Sequence, residues 1–83
     1  MDEDVLAAVR RFPERQRAIR AMAAWDDDFR QLCVDLADAE AALRGWEGSS
    51  SPDRERRCAE YRDLVEGLAA EIETALEARA GGS

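Results

Sequence analysis

The residues of this 83-residue chain best equipped for chemistry are two cysteines, Cys33 and Cys58, and five arginines, Arg10, Arg11, Arg15, Arg17 and Arg20. A thiol can bridge to another thiol, bind a soft metal or register oxidation. There is no histidine, so a four-ligand zinc centre needs a second chain or carboxylates to complete it. Nineteen acidic side chains are present, but general acid–base work needs two carboxyls held in unlike surroundings within a concave site. Here the acids scatter around the solvated faces of helices. No activated nucleophile, glycine-rich phosphate loop or metal-ligand cluster stands in the sequence. The expectation is a protein that is not an enzyme, with no catalytic residue, no cofactor and no metal.

The arginines invite a sharper reading. Every basic residue is an arginine, and residues 10–20 hold five of them against Glu14, a local charge of +4. Residues 26–47 hold seven acids against two arginines, and residues 58–79 hold six against two, local charges of −5 and −4. One reading makes the basic segment a contact for phosphate on an amphipathic helix. The other lets it face the acidic segments, within one chain or across a dimer. The sign reversal favours the second. With a formal charge of −7 over the whole chain, neither nucleic acid nor an anionic membrane is the expected partner. An anion-responsive regulator using residues 10–20 on nucleic acid or acidic lipid is the alternative, and a thiol-dependent sensor working between chains a weaker one.

Two apolar ladders must position all of these groups. Phe29, Leu32, Leu36, Ala39, Leu43 and Trp46 recur at steps of three and four, and so do Cys58, Tyr61, Val65, Leu68, Ile72 and Ala75. Such steps place each set on one stripe of a helix that must be covered. Gly48-Ser49-Ser50-Ser51-Pro52 lies between them, so the two read as arms of an antiparallel helical hairpin over 27–46 and 53–79. The interaction seam is Phe29, Leu32, Leu36 and Leu43 against Tyr61, Val65, Leu68 and Ile72. Opposed residues should have numbers summing to about 100, which sets Ala39 against Tyr61. The same register puts Cys33 near Leu68, roughly 15 Å along the arm from Cys58, too far for a disulfide. Cys58 then reads most simply as a small buried hydrophobe.

The other elements are shorter. Asp2-Glu3-Asp4 suits a helix N-terminus, with Val5, Leu6, Val9 and Phe12 at helical spacing behind it. Pro13 breaks this segment and starts another, through about Ala24. Asp26-Asp27-Asp28 marks the start of the first arm, Ser51-Pro52-Asp53 that of the second, and Gly81-Gly82 its end. Gly67 within the second arm either admits a close neighbour or is merely tolerated. Trp25 and Trp46 are placed to cap the ends of the bundle. The acidic N-terminus is unlike a signal peptide, and the longest uncharged stretches, Ala21 to Trp25 among them, are far too short to span a bilayer. These features point to the cytoplasm.

Phe12-Pro13-Glu14, followed by Ile19, Met22, an acidic break, Phe29, Leu32, Ala39-Glu40 and Leu43, resembles the YdcH-like family of small bacterial proteins. The resemblance covers Phe12 to Leu76. It implies an α-helical hairpin of uncharacterised function and carries no catalytic residue over.

One small domain is therefore expected over 1–83, all-α, with N-terminal helical segments over 2–25. Val34, Ala37 and Ala41 on one arm, and Leu64, Ala69 and Leu76 on the other, extend beyond a two-helix seam. Either the N-terminal segments or a second copy must cover them. A chain this small rarely completes a core alone, so a homodimer, two hairpins forming a four-helix bundle, is the expected assembly. The expected role is that of a small accessory protein acting through helix–helix packing, on itself and on an unidentified protein partner.

Overall fold

The computed structural model describes residues 3–81, which are mostly helical with no strand among them. A tight 3-10 turn, Glu3–Val5, leads into α1, Leu6–Arg11. A second such turn, Pro13–Arg15, leads into α2, Gln16–Trp25. Two long helices follow, α3 over Asp27–Glu47 and α4 over Arg54–Gly81. The arms thus run slightly past the expected 46 and 79. Gly81 is taken into α4, while the stop expected at Gly82 and the start expected at Asp2 lie outside the described residues.

Each junction has a local cause. Phe12 sits at φ −127° and ψ 65°, outside the helical basin, as a residue before proline tends to be. Asp26 is the single extended residue between α2 and α3, and its Oδ1 accepts a hydrogen bond from the Phe29 amide at 3.1 Å. That satisfies one of the unpaired N–H groups of the first turn, where Asp27 and Asp28 add favourable charge. At the hairpin bend, Ser51 Oγ accepts from the Asp53 amide at 3.1 Å and the Ser51 carbonyl from the Arg54 amide. These bonds close a turn that holds Pro52 outside the helix, so α4 begins at Arg54 rather than at the proline.

All rungs of both ladders are buried or half-buried. Phe29, Cys33, Leu36 and Ala39 of α3 share one core with Val65, Leu68, Ile72 and Leu76 of α4. The N-terminal segments join that core through Val5, Ala7, Ala8, Ile19, Met22 and Ala23, with Val9 and Phe12 packed at its edge. Ala8 and Ala23 have no exposed surface. A side chain as short as alanine lets α1 and α2 approach the hairpin closely. Four helices therefore pack against one another within one chain, and the N-terminal pair lies chiefly on α3. The molecule is a rod, 49 by 26 by 21 Å. Its radius of gyration, 14.0 Å, exceeds the ~12 Å of a spherical domain of this length.

Gly67 admits no close neighbour. A Cβ built there meets no atom within 4 Å, and the residue is exposed. Gly67→Ala is accordingly expected to stabilise the protein by about 0.5–1 kcal/mol, the backbone entropy glycine forfeits in a helix. A thermal melt reads this directly, and a lowered midpoint would show a constraint at this position.

Candidate interaction surface

The seam residues divide by depth. Phe29, Leu36, Val65, Leu68 and Ile72 are buried, whereas Leu32, Leu43 and Tyr61 are half-buried. The half-buried group borders open grooves, and the one beside Tyr61 has walls from α3 and α4 alone. Asp35, Asp38, Ala39 and Ala42 form one wall of it, and Tyr61, Leu64 and Leu68 the other, around about 450 Å3. Ala39 and Tyr61 both line this groove. Leu64, 48% exposed, is one of the two large apolar side chains left in solvent among the described residues, the other being Trp25. Leu32, Ala75 and Ala78 line a further groove between the arms, and Ala42 and Trp46 another near the bend. Asp35 and Asp38 put acidic groups beside the apolar lining of the first groove, and Glu71 does so at the groove beside Leu32.

The five arginines do not form one surface. Arg11 reaches Glu40 on α3 at 3.6 Å, and with Arg10 it borders a groove at the junction of α1, α3 and α4. Beyond the break at Phe12, Arg15 borders a different groove with Trp25, Leu76 and Arg79. Arg20 donates to Gln16 on its own helix at 3.5 Å, and Arg17 is exposed. The local charge of +4 along the chain is thus divided between grooves, with a single ion pair to the acidic arm. The sequence reading missed Arg44, which stands beside Arg10 and Arg11 at the first groove. Its position is a product of the fold-back of α1, for which spacing along the chain carries no signal.

Cys33 and Cys58 are both buried and form no disulfide. No group of three or more cysteine and acidic side chains that could hold a metal ion occurs among the described residues. The tryptophans lie toward the ends of their helices beneath cations, with the Arg79 guanidinium 4.0 Å from the Trp25 ring centre and that of Arg57 5.8 Å from Trp46. No described helix is long and apolar enough to cross a membrane. No protein-family model, curated protein or solved structure matches this chain.

Proposed function

We propose that this protein is a small non-enzymatic accessory protein that acts by accepting a helix into the open groove between α3 and α4. The observation behind this reading is Leu64, a leucine left 48% exposed among Ala39, Ala42, Tyr61 and Leu68 on a surface the N-terminal helices leave bare. An apolar trough with a polar rim is the form that helix-in-groove recognition takes. Nothing about the reading needs a catalytic group, and the YdcH-like resemblance, which rests on the residues from Phe12 to Leu76 alone, implies none.

A second copy is the first occupant to consider. Two hairpins meeting groove to groove would make the four-helix bundle expected from the sequence, with α1 and α2 on the outside. Such a contact sets Asp35, Asp38 and Glu71 of one copy near those of the other, and like charges oppose it. Screening should then tighten a homodimer as salt rises, whereas a basic helix from another protein would be released by salt. The rival use of Arg10 to Arg20 on nucleic acid or acidic lipid has less support, because Arg10 and Arg11 border one groove, Arg15 another, and Arg17 and Arg20 neither.

Sedimentation equilibrium at micromolar concentration and two salt levels tests the reading. The expected result is a species of twice 9.3 kDa that strengthens with salt and dissociates at least tenfold more readily in Leu64→Glu, with helicity unchanged. A monomer at all concentrations, together with no salt-sensitive capture of an arginine-rich amphipathic peptide, would sink it.

A further inference from the structure

The groove at the junction of α1, α3 and α4 differs in kind from the open trough. Ala7, Leu43 and Val65 line it beside Arg10, Arg11, Arg44 and Glu40, around about 450 Å3. That volume falls within the range of small-molecule sites, which pair an apolar lining with a few placed polar groups. Three guanidiniums face one carboxylate in a protein whose overall charge is −7. Glu40 is engaged by Arg11 at 3.6 Å. Arg10 and Arg44 make no ion pair among the described residues, although acids outnumber arginines nineteen to twelve. They also come from separate segments, α1 and α3, and their convergence is a product of the fold.

We infer that this groove binds a single-chain amphiphile with an oxyanion head, either carboxylate or phosphate. The head lies between Arg10 and Arg44, whose planar forks match both oxyanions in two-point hydrogen bonds. The tail lies along the half-buried Leu43 and the aliphatic stems of the arginines, since Ala7 and Val65 are already buried in the core. Arg11 is held by Glu40 and so sets the side of the groove without being freed for the ligand. The net excess of two cations over Glu40 suits a phosphate monoester at least as well as a carboxylate. The apolar contact at Leu43 distinguishes this from a site for inorganic phosphate, and its confinement to one short groove distinguishes it from a bilayer face. This site is independent of the trough around Leu64, so either can stand without the other.

Decanoate and decyl phosphate, each below its micellar concentration, are the probes, titrated into the full chain with amide shifts as the readout. Saturable shifts at Ala7, Leu43 and Val65 are expected with both, and none with decanol or with inorganic phosphate alone. Arg44→Gln and Arg10→Gln should each weaken binding about tenfold, some 1.4 kcal/mol, while leaving the melting midpoint nearly unchanged, because neither side chain has an internal partner. Arg17→Gln, away from the groove, should bind as the parent does. The proposal is overturned if decanol binds as well as decanoate, if the two arginine variants bind as the parent does, or if shifts appear only with 1:1 phosphatidylglycerol–phosphatidylcholine vesicles. It is likewise overturned if no probe binds and Arg44→Gln only lowers the melting midpoint, since the arginine would then do no more than offset the C-terminal dipole of α3.

Discussion

Phe29→Ala is expected to destabilise the protein by about 3–5 kcal/mol, the usual cost of emptying a buried phenylalanine site. Phe29 is the largest of the fully buried side chains described, only 2% exposed, and it sits in the first turn of α3, where its amide bonds to the Asp26 cap. Its loss removes apolar contact and leaves a cavity that the Asp26–Phe29 bond keeps from collapsing. For a chain of this length total stability is of the order of 4–12 kcal/mol, so this single change consumes much of it. A denaturant titration should show the midpoint falling sharply with the slope preserved. A loss below ~1 kcal/mol would mean that the N-terminal end of the seam is not packed as described.

Ile19→Ala carries the second large effect, about 2–5 kcal/mol. Ile19 belongs to α2, outside both hairpin arms, yet it has no exposed surface and packs in the same core as Leu36 and Ile72. The expected cost therefore equals that of a seam residue. If α2 were a loosely attached segment, Ile19→Ala would change the global melt by a few tenths of a kcal/mol and speed amide exchange only within residues 16–25. A global loss of stability, felt equally by amides of α4, is the expected outcome, and a purely local one would remove α2 from the cooperative unit.

These two residues also mark what could be read from the chain. Phe29 belongs to a ladder with steps of three and four, a signal that survives without any knowledge of tertiary structure. Both arms were legible on that basis, and the Asp26 cap from its acidic run, whereas Pro52, expected to open the second arm, stands outside it. Ile19 and Met22 were recognisable as an apolar stripe, but a stripe says only that it must be covered. The side on which α2 lands is decided by the backbone angles at Asp26 and by how closely Ala8 and Ala23 permit approach, neither of which has a periodic signature. The candidate sites were less legible still. Arg10 to Arg20 form one cluster along the chain and separate groups in space, because the break at Phe12 reorients everything before it. Leu64 was legible as excess apolar surface, yet its exposure depended on which side α1 and α2 chose to cover.

The rod form of the molecule bears on how it moves through solvent. A particle 49 Å long and little more than 20 Å across drags more water than a sphere of its mass and tumbles unevenly about its long and short axes. A single copy should therefore leave a gel-filtration column early, at the position of a larger globule. Its amide relaxation should also vary with direction, N–H vectors along α3 and α4 relaxing as though they belonged to a heavier protein than those set across the axis. Two copies laid side by side through the trough would thicken the rod without lengthening it. That pairing would double the mass while bringing the hydrodynamic shape closer to a sphere.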